Sequence, residues 1–493
     1  MPESCNRSVP WGTWRGGVES LCVERAEAEA IYDAGREAVV EVLLAMDRRI
    51  QQLEARVGKL ERELAKNSRN SSLPPSSDPP SKRRPARGRD RSGRSQGAQS
   101  GHEGHGRGLL PFSAVDRVVE HWPERCGCGH VFAAGELLAV GEPVRHQVEE
   151  LPVISTQLIE HRCPRVRCPG CGERTRAMLP ADVAGSAFGP RFEAAVAVLS
   201  VRNRVSRCDV VELGEELFGA RLCAGTVEAI LQRAARALEG PYEDLGERVR
   251  ASESLNMDET GWRTAGERRA LWGAFTSRHA LFHLAPDRHE DHAKSLLADT
   301  EAIVTSDRWW AYAHLPLARR QVCWSHLRRD FQAHAEGLAG EKEFGEAGLA
   351  LCERVFWAWE VFAHTHDRRE LERAIRSLRR TYKPIIRSFA AKRARNRHCR
   401  GMARNLIKLW PALWTFAAHE GVEPTNNHAE RSLRGAVIYR KLSFGSQSEQ
   451  GERRIERLLS ASVTCRLQHR SMFSYMSELL AAHTRGDPIP LLA

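Results

Sequence analysis

Leu255-Asn256-Met257-Asp258-Glu259-Thr260-Gly261-Trp262 is followed by Arg269-Ala270-Leu271-Trp272-Gly273-Ala274-Phe275, by Ala280-Leu281-Phe282-His283-Leu284 and by Ala302-Ile303-Val304-Thr305-Ser306-Asp307. These short apolar runs, with hairpin-like spacing between them, predict strands of one sheet. The first run reaches an acid at Asp258 and the last ends on another at Asp307, so both carboxylates stand at strand ends if the two strands are neighbours. A third acid, Glu430, lies in a helix predicted to start at Asn426-Asn427-His428-Ala429-Glu430-Arg431. From Phe331 to Glu420 the pattern is almost wholly helical, with Trp357, Trp359, Leu371, Leu378, Trp410 and Trp414 as apolar anchors. That stretch reads as a helical insertion between the second and third acids, one that leaves the sheet intact.

Three carboxylates suit hard divalent cations, and a pair of such ions about 4 Å apart serves phosphodiester chemistry by activating one oxygen and stabilising another. Magnesium is the expected ion, with manganese as its substitute. Taken singly, each acid has a plainer explanation: Asp258 and Asp307 as turn or cap residues, and Asn427-x-x-Glu430 as a capping box. Past Glu430, Arg434, Arg440, Lys441 and Arg453 accompany Gly445 to Ser448 and Gly451. They are candidates for holding a phosphate beside a metal centre, the alternative being a solvated helix face. Cys323 and His326 stand three apart without a partner pair and read as packing beside the site.

Upstream, Val39, Leu43, Met46, Ile50, Leu53, Val57, Leu60 and Leu64 step by three and four residues, a heptad seam. Branched Ile50 and Val57 alternate with Leu53 and Leu60, which favours a parallel two-stranded coiled coil and hence a homodimer; one amphipathic helix packed on its own chain is the other reading. Asn67 to Arg107 is dense in Ser, Pro, Gly and Arg and predicts a disordered basic tether, in which Lys82, Arg83 and Arg84 are candidate phosphate contacts. Cys126-Gly-Cys128-Gly-His130 and Cys168-Pro-Gly-Cys171-Gly form two halves of a candidate structural zinc site with Cys126, Cys128, Cys168 and Cys171 as ligands. The first pair is one residue short of the usual spacing, which leaves His130 or Cys163 open as a ligand. Val144 to Ile159 alternates and predicts ribbon strands. Val205 to Leu217 and Gly225 to Leu238 read as helix, turn, helix, either a groove reader or ordinary core.

The chain has 493 residues, 42% of them hydrophobic, enough for more than one core. A net charge of +11 points first to nucleic acid among partners. Thirteen cysteines are an odd number in a long chain, and no basic-then-apolar leader is read through Ser20, so a reducing cytoplasm is expected. No apolar run approaches the roughly 20 residues needed to cross a bilayer, which sets membrane functions aside.

Several separate pieces resemble the insertion-sequence sixty-six family of bacterial transposases: Asn67 to Asp78, Ser100 to His105, the paired cysteines, Met257 to Thr260, Thr305 to Asp307, Cys323 to His326, and Asn426 to Arg434. The first twenty-five residues, with Trp11 and Trp14, match none of them. The resemblance implies a ribonuclease-H-like catalytic fold whose aspartate, aspartate, glutamate triad falls on Asp258, Asp307 and Glu430. It also implies cleavage and strand transfer of double-stranded DNA at terminal inverted repeats and target sites, and accessory proteins from the same element. The expected architecture is multidomain α+β: an unassigned segment 1–25, coiled coil 26–66, basic linker 67–110, zinc-binding ribbon 111–182, helix-turn-helix-like region 183–250, and an α/β catalytic domain in two parts, 251–330 and 423–493, around the insertion 331–422. The location implied is bacterial cytoplasm, at the nucleoid. Competing readings are a non-catalytic DNA-binding protein, either repressor or decayed copy, and a nuclease of the same fold acting on RNA strands or junctions.

Overall fold

The computed structural model describes residues 25–65, 108–133, 135, 137–183, 185–337, 339–391 and 397–492; Lys82, Arg83 and Arg84 lie outside them. The chain divides into two units, 1–80 and 81–493. In the first, α1 (Arg25–Asp33) and α2 (Arg36–Ala65) meet at Gly35, whose φ of +102° suits glycine. The 30 residues of α2 make a rod of about 45 Å. Its seam residues Leu43, Ile50, Leu53, Val57 and Leu60 are 47 to 60% exposed.

In the second unit, residues 144–159 form no strand, contrary to the alternating pattern. Val144, Val148, Leu151, Val153 and Leu158 are all exposed, so their apolar side has no surface to bury against and no ladder is favoured. The hairpin lies further on, where β1 (Arg165–Arg167) pairs antiparallel with β2 (Arg174–Arg176) and brackets Cys168 and Cys171.

Helices follow: α3 (Pro190–Ala197), α4 (Arg207–Phe218), α5 (Ala224–Ala237) and α6 (Glu239–Arg250). Ser206 caps α4 by accepting from the Asp209 N–H, and Gly219, at φ +62°, ends it. The expected helix, turn, helix is there, and α5 is a core helix: Val227, Ile230, Leu231, Ala234 and Ala235 are buried. The surface it leaves open is narrow, with Ala224, Gly225, Ala229 and Arg236 exposed.

The sheet comprises β3 (Ser254–Thr264), β4 (Glu267–Phe275), β5 (Ala280–Ala285), β6 (Ile303–Ser306) and β7 (Arg320–Val322), with α7 (Glu290–Leu297) between β5 and β6. Its order is β5-β4-β3-β6-β7; the first three strands are antiparallel, and β3, β6 and β7 run parallel. Helices α8 (Trp324–Ala335), α9 (Ala339–Thr365), α10 (Arg368–Ala390), α11 (Arg397–Lys408) and α12 (Thr415–Ala418) share a separate hydrophobic core around Trp324, Phe331, Phe344, Trp410 and Phe416. Trp357 is not one of its anchors, being 66% exposed.

Helices α13 (Asn427–Ser443), α14 (Glu449–Leu467) and α15 (Met472–Arg485) return to the sheet and, with α3 and α5, cover the face that carries Trp262, Phe275 and Phe282. The opposite face, with Met257, Trp272 and Val304, packs on α7 and Tyr312. Strand β5 is a sheet edge whose outward amides are satisfied by one helix. The N–H groups of Ala280, Phe282 and Leu284 donate to Thr464 Oγ1, Ser460 Oγ and Glu456 Oε1 of α14 at 3.0, 2.9 and 2.6 Å. Covering an edge in this way removes a template for unwanted strand pairing.

Candidate active site

Strands β3 and β6 pair Ser254 with Ile303, Leu255 with Val304 and Asn256 with Thr305. The same pairing carried two residues on sets Asp307, just past the end of β6, abreast of Asp258, which lies within β3 and not at its end as the apolar run suggests, because β3 continues to Thr264 in its pairing with β4. Opposite Asp258 on β4 is Gly273, where a Cβ would fall 2.3 Å from the Phe275 ring. Glycine there lets Phe275 fold across the strand beside the acid.

Glu430 arrives from the first turn of α13, and Asn426 fixes where that turn begins. Asn426 is fully buried; its Nδ2 donates to the Met257 carbonyl (2.7 Å), its Oδ1 accepts from Asn256 Nδ2 (3.0 Å), and its N–H donates to Cys323 Sγ (3.1 Å). Three contacts thus tie the helix start to the strand bearing Asp258 and to the residue that opens α8. His428 adds a fourth, its Nε2 lying 2.8 Å from the Thr276 carbonyl. Glu430 does not close a capping box: the N-cap is Asn426, whose side chain makes no cap bond, and the carboxylate turns to α8 instead. There Arg329 Nη2 donates to Glu430 Oε1 at 3.1 Å, and His326 Nδ1 stands 3.7 Å from the same oxygen, too far for a hydrogen bond. Burial, then the Arg329 charge, pushes His326 down to about 3, so its ring is neutral. Cys323 is buried packing beside the site, as its spacing suggests.

The electrostatics mark this region. Burial first, and then the charges of Glu259, Asp307 and Glu430, hold the Asp258 carboxyl well above the ordinary carboxylate range. Burial also raises Asp307, opposed by the Trp309 N–H that donates to its Oδ1 at 2.9 Å. Among the described residues neither Asp258 nor Asp307 has a cationic partner in an ion pair, and His326 Nδ1 is buried without a hydrogen bond. The three acids are not drawn into one tight cluster: no described trio that includes them has all its donor atoms within 4.8 Å of one another. Partly buried, mutually repelling oxygen donors beside an orphaned imidazole nitrogen fit hard divalent cations. Two ions about 4 Å apart accept a donor set wider than a single ion's shell.

Three contributors went unread in the sequence. Glu259, on the opposite face of β3, accepts from the Tyr312 hydroxyl at 2.8 Å and is raised by burial and by Asp307. Arg320 is fully buried on β7 and donates to the carbonyls of Asp307 (2.9 Å) and Tyr312 (2.8 Å), which fixes the loop after the second acid. Arg308 bridges Asp330 on α8 (2.7 Å) and Asn405 on α11 (3.0 Å), tying the helical region to that same loop. Of these, only Glu259 carries a signal, its place next to Asp258.

Of the basic candidates, Arg434 is exposed one turn beyond Glu430 and Lys441 is exposed near the end of α13. Arg440 donates to the Gly261 carbonyl and, at 3.2 Å, to the Thr260 hydroxyl, so one of its arms braces β3. In the cysteine region each half forms a tight turn: Gly129 N–H donates to the Cys126 carbonyl and Gly172 N–H to the Cys168 carbonyl, both at 2.9 Å. The thiol of Cys128 is lowered by the His130 backbone N–H and that of Cys168 by the Cys171 N–H, which favours the ligating thiolate. Among the described residues, no three of these cysteines have all their donor atoms within 4.8 Å of one another. One mixed trio does, His334, Glu341 and Cys399, where α8, α9 and α11 meet, with His334 Nδ1 3.1 Å from Glu341 Oε2 and 4.0 Å from Cys399 Sγ. Among the described residues, no helix is long and apolar enough to cross a membrane.

Residues 23–108 match a family of unknown function (DUF6444). The uncharacterized protein y4hP of Sinorhizobium fredii is 22% identical over 412 residues, covering 74% of this chain and 72% of that protein. Residues 185–454, more than half of the chain and the stretch that holds all three acids, match the Transposase IS66 family, to which this protein belongs.

Proposed function

We propose that the protein is a DDE-type DNA transposase that binds the terminal inverted repeats of its own element, cleaves there, and joins the freed 3′ ends to target DNA. The observation that carries this reading is the convergence of Asp258 and Asp307 on adjacent parallel strands with Glu430, delivered by a helix that Asn426 pins to the same strand. The strand order, with an antiparallel trio followed by two parallel strands, supports a ribonuclease-H-like catalytic fold. Asp258, Asp307 and Glu430 would hold two magnesium ions, or manganese in their place. Bound there, the ions supply activation of the attacking oxygen and stabilisation of the departing one.

The chain's own groups set the stage. Arg329 fixes the Glu430 carboxylate, buried Arg320 holds the loop that presents Asp307, and Arg434 projects from the same helix side as Glu430 toward the DNA backbone. Lys441, the free arm of Arg440, and Lys82, Arg83 and Arg84 add phosphate contacts. Cys126, Cys128, Cys168 and Cys171 hold a structural zinc, and the uncovered seam of α2 pairs two copies as a coiled coil. The protein works on double-stranded DNA in the cytoplasm, at the nucleoid, alongside accessory proteins of its element.

Incubating the purified protein with end-labelled duplexes of the element termini and magnesium tests this. Nicking at the terminal 3′ boundary, lost in Asp258→Ala, Asp307→Ala and Glu430→Ala while end binding persists, is the expected result. A mobility shift without nicking would identify a repressor instead, and preference for RNA-containing hybrids would identify a nuclease.

A further inference from the structure

Helix α10 has two unlike faces. Leu371, Ile375, Tyr382 and Ile386 are buried in the helical core, while the other side is strongly basic, the helix as a whole having eight cationic residues against two acidic ones. Five of those cations, Arg376, Arg379, Arg380, Lys383 and Arg387, line a cavity of about 370 Å³ with Trp410. No acidic side chain lines it. Among the described residues none of the five forms an ion pair, whereas basic residues elsewhere, such as Arg308, Arg329 and Arg454, each meet an acid.

Like charges three and four residues apart repel one another along a helix, at a cost of a few tenths of a kcal/mol per pair. An array of that kind is stabilised by a partner that brings several negative charges at regular intervals. From Arg376 to Arg387 the helix rises about 16 Å, close to the length of five phosphates along one strand of duplex DNA. Its two apolar lining residues are Pro384, which is exposed, and Trp410, which is only 3% exposed, so five of the seven residues in the wall are cationic and it has no exposed aromatic anchor of the kind that centres a protein interface.

We infer that the basic cavity of α10 is a docking site for the phosphodiester backbone of duplex DNA, separate from the arginines of α13 beside the carboxylates. Arginine forks suit paired phosphate oxygens, and an array that reads no base edges positions DNA without choosing its sequence. Through Arg308, which contacts Asn405 on α11 and follows Asp307 directly, the helical region is tied to the catalytic edge, so DNA held on α10 is held in a fixed relation to the acids. The inference rests on the reading that DNA is the substrate.

The test is binding of a labelled random-sequence duplex to the full-length protein over a series of salt concentrations, comparing wild type with Arg376→Gln/Arg380→Gln/Arg387→Gln. The slope of log affinity against log salt is expected to fall by about 0.9 for each phosphate that the variant no longer neutralises, a drop of about 2 to 3, with affinity at least about tenfold weaker and thermal unfolding unchanged. The corresponding triple lysine variant should keep most of the slope, which a merely structural role for the arginines would not allow. Wild-type binding with the slope intact in the glutamine variant overturns the assignment of this cavity and leaves the transposase reading standing. Failure of the wild type itself to bind DNA overturns both. If the glutamine variant keeps its DNA slope but loses binding to polyglutamate, the cavity serves an acidic protein and the inference is wrong.

Discussion

Around Asp258 each functional side chain is delivered by buried backbone: Asn426 bonds to Met257, Asn256 and Cys323, and Arg320 holds the loop after Asp307. Around Cys126 and Cys168 nearly every described residue is exposed, the strands among the described residues are two of three residues each, and no three of the four cysteines bring their donor atoms within 4.8 Å of one another. Both regions bear acids or thiols in a pattern suited to metal. In neither do three described donors close to within 4.8 Å of one another; in the first, packing and buried hydrogen bonds fix the elements that carry the donors, and in the second only local turns order each half. Precise chemistry sits where the core has already met the entropic cost of order.

The largest expected effect separates the two regions by function. Alanine at Asp258, Asp307 or Glu430 should lower cleavage by about 10³-fold or more, since each ligand contributes several kcal/mol to the reaction, while the fold persists. Next comes a test of the cysteine stretch. Chelation, or Cys168→Ser with Cys171→Ser, should abolish hydrogen-exchange protection in β1 and β2 and leave the amides of β3 and β6 protected, as measured by mass spectrometry. If the sheet lost protection as well, the two regions would not be independent.

Asn426→Ala should be intermediate. It strips partners from buried groups on β3, at about 1 to 3 kcal/mol of stability, and lets the start of α13 drift. Cleavage is expected to fall by about ten- to a hundredfold with little change in DNA affinity. A proportionate loss of both would mean that Asn426 supports folding alone.

The smallest effect concerns charge. Asp258 has a folded-state pKa raised above its unfolded value, so the stability advantage of its protonated form is present below the ordinary carboxylate range and is lost as pH rises through the raised value. Asp258→Asn removes that loss. In the presence of chelator it should melt about 1 to 3 °C higher than wild type at neutral pH, and the gain should shrink as pH falls toward the ordinary carboxylate range. Equal melting at all pH values would show that the carboxylate is not under electrostatic stress.

Strands β3 to β6 were legible because their apolar runs are bounded and β-rich, and Asp307 because it ends its run, whereas Asp258 proved to lie within a strand that runs on to Thr264. Strand β7 was not, because Arg320 and Gln321 in a three-residue strand carry no alternation. Asn426 looked like a helix signal and serves as a tether, a difference visible only once β3 lies beside it. Trp357 has the composition of a core residue but falls on the outer side of its helix, and the alternating residues 144–159 lack a surface to fold onto. Patterns report what a segment is able to bury, and three-dimensional neighbours decide whether it does.

The seam between β5 and α14 has a consequence of its own. Alternate strand residues lie about 6.6 Å apart and every fourth helix residue about 6.0 Å, so two rulers of unlike pitch agree over three marks, Ala280, Phe282 and Leu284 against Thr464, Ser460 and Glu456. Agreement of that kind tolerates exchange of one side chain for another but not a change in count. Loss or gain of a single residue within either run would put the marks on one side of it out of register with the rest, so this margin of the molecule is free to vary in composition and closed to variation in length.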